Sequence, residues 1–330
     1  MRTPGSEEAA EQAEESPRGR RLRLTSIRDY GIVVSFVALF VVLSLSSPVF
    51  LTTRNMLNIL DQQAAIGIIA CAGTLVLIAG GLDLSTGAVF AFSGIIAAET
   101  VGSLGVWPAM GLALVTALVL GTLNGLLATV GRINSIIVTL ATGIMIRGLA
   151  VATTGGLLVR VDDPAYATLG RGEVAGIKYS VWLFVAVIAI TGFLLAATRF
   201  GRYVYAAGGN AEAARLAGVG VNRVRTTTFA MSGLAAGLAG LVVSSRVSTG
   251  QADAGIGLEI SAIAAIVIGG TSIQGGEGAI WRTVLGLMLL ALVRNGFNLL
   301  NIDPIFQEII QGAIILVAVG VDAWARRRSG

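Results

Sequence analysis

Two short acidic motifs are the parts of this chain best suited to chemistry. Residues 81–85 read Gly-Leu-Asp-Leu-Ser, and residues 257–261 read Gly-Leu-Glu-Ile-Ser about half a chain length later. Each motif sets a carboxylate, Asp83 or Glu259, two residues before a serine and leads into an apolar run. A carboxylate deep in a bilayer costs about 2.5–3.5 kcal/mol unless it faces water or a partner. The motifs therefore predict a hydrophilic pathway in which carboxylates and hydroxyls hydrogen-bond a polyhydroxylated solute.

The same carboxylates also have a purely structural interpretation, which the positions favour. Asp83 lies just before a predicted helix and Glu259 just inside another, where acidic groups accept hydrogen bonds from free N–H groups and favour the helix dipole. Capping and lining a pathway are compatible. Ser85, Ser261 and Asn124 complete the set of candidate pathway residues. Asn124, within an apolar run, could instead link helices by hydrogen bonds worth about 0.6 kcal/mol.

The composition is that of an integral membrane protein. The 330 residues are 55% hydrophobic and 13% charged, with a mean hydropathy of +0.82, whereas soluble domains average about 25% charged residues. The chain has no histidine and one cysteine, Cys71, so Ser-His and Cys-His catalysis and an internal disulfide are excluded. Lys178 is the single lysine and follows Ile177, so the chain has no Gly-Lys phosphate loop. We expect neither catalytic residues nor a bound metal or cofactor.

Ten apolar runs are long enough to predict helices, which gives an all-α fold. Residues 1–29 are expected to form a disordered cytoplasmic arm, residues 30–325 the transmembrane domain and residues 326–330 a cytoplasmic tail. The halves of the domain are roughly 30–154 and 179–325. The predicted helices are 30–46, 63–79, 85–101, 108–129, 136–154, 179–197, 227–245, 258–270, 283–300 and 305–323.

Charge and repetition predict how these helices are arranged. Most of the 23 lysines and arginines fall on the cytoplasmic side if both termini are cytoplasmic, in agreement with the positive-inside rule. The acidic motifs lead into the third and eighth helices, which would then have opposite orientations. Glycine pairs at 80–81 and 269–270 interrupt the apolar sequence near the repeated element. These features predict a five-plus-five inverted repeat with discontinuous helices around a central pathway.

The largest predicted cytoplasmic loop contains a short helix. Asn210 is a plausible N-cap, residues 212–216 have helix-forming composition, and Gly218 is a C-terminal stop. A plain connector rarely needs a capped helix. The pattern therefore favours a docking element for a cytoplasmic partner.

Several longer motifs resemble one family. They are residues 80–87 (Gly-Gly-Leu-Asp-Leu-Ser-Thr-Gly), 137–140 (Ile-Val-Thr-Leu), 207–219, and 262–278, which contains Gly-Gly-Thr-Ser-Ile-Gln-Gly-Gly-Glu-Gly. Over roughly residues 30–325 the chain is similar to the permease subunits of bacterial ABC importers for ribose, xylose, galactose and related sugars. The resemblance implies a multi-pass protein of the inner membrane that imports a monosaccharide, a ribose-like pentose or a hexose, by alternating access.

The resemblance also implies partners. These are a second permease copy or paralogue, an extracytoplasmic sugar-binding protein, and a cytoplasmic ATPase that binds ATP and Mg. Residues 210–219 would form the coupling helix that sits in a cleft of the ATPase. The site residues carried over for coupling are Gly208, Asn210, Glu212, Ala213, Ala214, Arg215 and Gly218.

The sequence leaves two other functions open and disfavours a third. An ABC permease could carry another polar solute, such as a nucleoside, a branched-chain amino acid or autoinducer-2. An ion-coupled secondary transporter would share the inverted repeat but would leave the capped cytoplasmic helix unexplained. A membrane-embedded enzyme finds no support in the motifs.

Overall fold

The structure is a computed structural model that describes residues 17–300 together with 302–303, 306, 309–310, 312–313 and 316, with side chains from Gly31 onward. It is a bundle of helices with four two-residue strands. In chain order the elements are α1 (Pro17–Ser46), α2 (Thr53–Ile78), α3 (Thr86–Leu104), α4 (Val106–Thr129), α5 (Ser135–Thr154), β1 (Val159–Arg160), a 3₁₀ turn (Pro164–Ala167), α6 (Thr168–Arg171), β2 (Glu173–Val174), β3 (Ile177–Lys178), α7 (Tyr179–Ala197), α8 (Arg199–Gly209), α9 (Ala211–Leu216), α10 (Val221–Val247), β4 (Thr249–Gly250), α11 (Leu258–Ile268) and α12 (Ile280–Leu299).

Seven helices within the described residues are long and apolar enough to cross a membrane: α2, α3, α4, α5, α7, α10 and α12. The apolar part of α1 and the short α11 are below that length. Each predicted run up to residue 300 coincides with a helix, and the tenth run, 305–323, lies mostly outside the described residues. The all-α membrane fold is therefore confirmed.

Close contacts between small residues hold the centre of the bundle. Helix α2 is the most completely buried of the long helices, and α10 packs against α2, α3 and α4. On α10, a Cβ added to Gly233 would lie 2.7 Å from the Cα of Gly121 on α4. Because lipid supplies no hydrophobic drive between helices, such backbone contact is the main source of their packing energy.

Several helix boundaries differ from the sequence prediction. Helix α2 begins at Thr53, because Thr52 caps it and the polar residues of its first turns find partners. Helix α10 begins at Val221, and α8 occupies residues assigned to the loop. Helix α1 begins at Pro17 and so extends through 17–29, part of the predicted disordered arm. The arginines and leucines of that segment are good helix formers, while residues 1–16 lie outside the described residues.

The connection between α5 and α7 folds over one end of the bundle. Strand β1 pairs with β4, and β2 with β3, both antiparallel. Tyr166 in the 3₁₀ turn is fully buried, and its hydroxyl lies 2.6 Å from the Ser244 hydroxyl on α10. The connection is thus attached to the bundle through side-chain packing.

Candidate functional site

The first acidic motif forms a buried turn between α2 and α3. Asp83 is 7% exposed. Its Oδ1 accepts hydrogen bonds from the Ser85 amide (3.0 Å) and the Ser85 hydroxyl (2.6 Å), and its Oδ2 accepts one from the Ser232 hydroxyl (2.8 Å). Ser85 in turn accepts from Asn124 Nδ2 at 2.8 Å. Asp83, Ser85, Asn124 and Ser232 therefore make one chain of buried hydrogen bonds, here called the Asp83 network.

The Asp83 network fixes the turn to two helices. Asn124 belongs to α4 and Ser232 to α10, so the turn is joined to both. Asp83, Ser85 and Asn124 were predicted as pathway residues, and the structure joins them by hydrogen bonds; their role in the pathway stays a prediction. The sequence prediction missed Ser232, which is one of several hydroxyl-bearing residues on α10 and has no local pattern that sets it apart. Both Asp83 carboxylate oxygens already accept hydrogen bonds from protein groups. The carboxylate therefore acts mainly as an anchor of the turn.

Helix α5 supports the backbone of the same turn. The Ser135 hydroxyl accepts from the Leu82 amide at 3.2 Å, and the Thr139 hydroxyl accepts from the Leu84 amide at 3.0 Å. Buried non-helical backbone requires such partners, because an unpaired amide away from water costs free energy comparable to a lost hydrogen bond. Two backbone amides of this turn therefore find their hydrogen-bond acceptors in side chains of α5.

The second acidic motif begins α11. Gly257, at φ +79°, is the residue before the helix, which places Glu259 inside the first turn. The interpretation of the carboxylates as caps stays a prediction: Asp83 lies just before α3 and accepts a hydrogen bond from the Ser85 amide, and Glu259 lies in the first turn of α11. Ser85, the residue before α3, makes no capping hydrogen bond with its own side chain. Among the described residues, Glu259 makes no side-chain hydrogen bond to a free N–H of α11, although negative charge near a helix N-terminus is favourable.

The two motifs face one small cavity. Its volume is ≈ 20 Å³, which is room for about one water molecule. Asp83, Thr86 and Glu259 line it together with apolar side chains of α2 and α11. Glu259 Oε2 and Thr86 Oγ1 are buried and have no hydrogen-bond partner among the described residues. Ser261, predicted to lie on the pathway, is half-buried and does not line this cavity.

The short capped helix that the sequence predicted is present as α9. The Asn210 side chain accepts from the Ala213 amide at 2.9 Å, and Gly218 at φ +82° follows the end of the helix. Glu212 and Arg215 form an exposed ion pair at 3.3 Å.

The side chains of α9 separate into an outer and an inner face. Ala213 and Leu216 are exposed, and Leu216 is 84% exposed. Ala214 is 6% exposed and packs against the bundle. Of the residues proposed for docking, Ala214 therefore faces inward, while Leu216, which was not singled out, faces outward. The sequence placed the helix but could not orient it, because six residues give too short a pattern.

A second polar cluster escaped the sequence analysis. Asp61 on α2 is 6% exposed. Its carboxylate pairs with Lys178 at 2.8 Å and with Arg246 at 2.5 Å, and it accepts a hydrogen bond from the Ser180 hydroxyl. These residues join the N-terminal part of α2 to the start of α7 and the end of α10. A single aspartate among glutamines at the start of an apolar run gave no signal of two cationic partners far along the chain.

The chain matches the family described as branched-chain amino acid transport system / permease component over residues 55–319. It is 38% identical over 296 residues to the ribose import permease protein RbsC of Haemophilus influenzae, covering 87% of this chain and 92% of that protein. It is 39% identical over 300 residues to the L-arabinose ABC transporter permease protein AraH of Azospirillum brasilense, covering 90% and 88%. The ribose import permease protein RbsC of Bacillus subtilis is 38% identical over 302 residues, covering 88% and 92%. No solved structure matches.

Proposed function

Because the chain belongs to the family of branched-chain amino acid transport system permease components, we propose that it is the permease subunit of an ATP-driven importer for a monosaccharide, a ribose-like pentose or a hexose. Its relatives named as ribose and L-arabinose permeases are similar over nearly their whole length, which supports a sugar over a nucleoside, an amino acid or autoinducer-2. The multi-pass helical bundle is consistent with a location in the inner membrane.

The cavity between the two acidic motifs is the observation that carries the proposal. A buried polar atom without a hydrogen-bond partner costs about 1–3 kcal/mol, and more if its group is charged. Glu259 Oε2 and Thr86 Oγ1 are two such atoms in one cavity. A solute hydroxyl passing this point can donate to Glu259 and accept from Thr86. Glu259 and Thr86 therefore act on the solute, while the Asp83 network holds in place the turn that leads to Thr86.

The proposal includes an arrangement of the whole chain. Ten helices in a five-plus-five inverted repeat, with halves at roughly 30–154 and 179–325, would bring the two motifs to the same depth from opposite sides. Both termini would be cytoplasmic. The meeting of residues 81–85 and the start of α11 at one cavity supports this symmetry, since nothing in the intervening sequence requires it.

Transport of this kind needs partners that supply energy and solute. We assign ATP and Mg binding to a cytoplasmic ATPase that receives the exposed face of α9. An extracytoplasmic sugar-binding protein would deliver the solute, and a second permease copy or paralogue would complete the pathway. The capped and outward-facing α9, with Leu216 84% exposed, supports the ATPase contact.

Competition for uptake tests the solute class. The chain is reconstituted in proteoliposomes with its ATPase and binding protein, and labelled D-ribose, L-arabinose, D-xylose and D-galactose are offered. Accumulation of at least one of these sugars, with no competition from uridine, leucine or autoinducer-2, is expected. Accumulation of uridine, leucine or autoinducer-2 with no sugar uptake would contradict the proposal.

A further inference from the structure

Five glycines bring three parts of the chain into backbone contact at one end of the bundle. They are Gly80 after α2, Gly208 and Gly209 at the end of α8, and Gly275 and Gly276 after α11, here called the glycine junction. A Cβ on Gly275 would lie 2.9 Å from Gly80 Cα and 3.2 Å from Gly208 O, and one on Gly276 would lie 2.8 Å from Gly209 Cα. The Gly276 amide donates to Ile78 O at 2.8 Å. No side chain separates these segments, so a shift of one displaces the others.

The glycine junction is continuous with the docking helix. Helix α8 ends at Gly209 and α9 begins at Ala211. Asn210, with φ −154° and ψ 98°, is the one residue between them. A force on α9 therefore reaches Gly208 and Gly209 without passing through a flexible linker.

Arg225 on α10 bridges this end of α8 to the end of α2. Its Nε donates to Ala79 O at 2.8 Å, and its Nη2 donates to Ala207 O at 3.1 Å. Ala79 is the C-cap of α2, and Ala207 lies in the last turn of α8. Carbonyls at these positions lack helical partners, and the negative end of each helix dipole attracts a cation. One guanidinium thus joins the ends of two helices, because its planar fork presents several N–H donors at once.

Tyr205 makes a parallel connection to the segment that follows α11, the helix that begins with the second motif. Its hydroxyl donates to Gly278 O at 2.7 Å, in the segment that follows α11. Burial raises the pKa of the Tyr205 phenol above its usual value, so the hydroxyl keeps its proton and remains a donor. The end of α8 is therefore joined through Arg225 to the segment leading to Asp83, and through Tyr205 to the segment following Glu259.

We propose that Arg225 is a positioning residue that transmits movement of the docking helix α9 to both acidic motifs, with Tyr205 as the second connection. This inference rests on the proposed function, because it assumes that an ATPase moves α9. Without Arg225, α9 still binds the ATPase through its exposed face. The segments after α2 and after α11 then no longer move together with α8. ATP hydrolysis continues but is no longer coupled to solute transport.

The test is the amount of sugar imported per ATP hydrolysed. The complete transporter carrying Arg225→Gln is compared with the unmodified one in proteoliposomes, using whichever of D-ribose or L-arabinose the unmodified chain accumulates. We expect the ATPase to co-purify and hydrolyse ATP, while sugar imported per ATP falls about tenfold, as for loss of hydrogen bonds from a charged donor. Arg225→Lys should recover part of the ratio, because an ammonium reaches one carbonyl at a time.

Arg223→Gln is the matched control, because Arg223 is an exposed arginine two residues before Arg225 on α10. The amount of sugar imported per ATP should not change in this variant. If Arg225→Gln does not fold, Tyr205→Phe removes one hydroxyl and should lower the ratio about threefold. An unchanged ratio in Arg225→Gln, or in both Arg225→Lys and Tyr205→Phe, would overturn the inference. Absence of ATP-driven uptake by the unmodified chain would instead overturn the proposed function.

Discussion

Replacing Asp83 by asparagine tests whether the first motif is an anchor. The asparagine would keep an oxygen for the two hydrogen bonds from Ser85, but its NH₂ would face the Ser232 hydroxyl that now donates at 2.8 Å to Asp83 Oδ2. The NH₂ can donate to the Ser232 oxygen instead, so a hydrogen bond to a charged acceptor, worth about 1.5–3 kcal/mol, is replaced by a neutral one worth about 0.5–1.5 kcal/mol. We therefore expect Asp83→Asn to lower the free energy of unfolding by about 1–1.5 kcal/mol and to slow transport, with the protein still expressed.

Ser232→Ala gives the partner measurement. It leaves Asp83 Oδ2 without its donor, which costs about 1–3 kcal/mol. In the double variant the hydrogen bond between residues 83 and 232 can be lost only once, so the combined loss should be smaller than the sum, by about 0.5–3 kcal/mol for residues in one network.

Unfolding in mixed detergent–SDS micelles measures all three variants. Asp253→Asn is the control, because Asp253 is exposed and should change the free energy of unfolding by less than about 0.5 kcal/mol. Additive losses from Asp83→Asn and Ser232→Ala, or no loss from either, would refute the anchoring role of the Asp83 network.

Three further predictions use other side chains. Glu259→Gln should not lower the free energy of unfolding, because Oε2 has no partner to lose and the variant removes an unpaired buried charge. It should slow uptake about tenfold or more. A loss of stability with normal uptake would contradict the pathway role, and exposed Glu99→Gln is its control. Leu216→Arg should abolish co-purification of the ATPase without unfolding the permease, because Leu216 is 84% exposed. Normal co-purification would contradict the proposal that the ATPase binds the exposed face of α9. Asp61→Asn should lower the free energy of unfolding by about 1–3 kcal/mol, because it leaves Lys178 and Arg246 without their carboxylate where both are partly solvated; unchanged unfolding in mixed detergent–SDS micelles would show that the cluster is dispensable.

The sequence predicted the helices well because apolar runs of membrane length have few other structures available. A backbone in lipid must satisfy its own hydrogen bonds, so each run up to residue 300 became a helix. Boundaries failed where polar side chains found distant partners, as Asp61 did with Lys178 and Arg246. Such pairings depend on packing across the bundle and leave no local pattern.

The candidate site was predicted in outline for a different reason. Repetition drew attention to Asp83 and Glu259, and the structure brings both to one cavity. Repetition could not assign their separate roles. Asp83 is surrounded by donors from Ser85 and Ser232, whereas the Glu259 Oε2 has none among the described residues. That difference arises from tertiary contacts with α10, which the motif itself does not encode.

Accumulation of labelled sugar in proteoliposomes, with and without internal ATP, tests the central claim most directly. The chain is reconstituted with its ATPase and its sugar-binding protein, and no ion gradient is applied. The account predicts accumulation of a pentose or hexose above the external concentration when ATP and the binding protein are both present, and none when either is omitted. Accumulation driven by a proton or sodium gradient in the absence of the ATPase would contradict it.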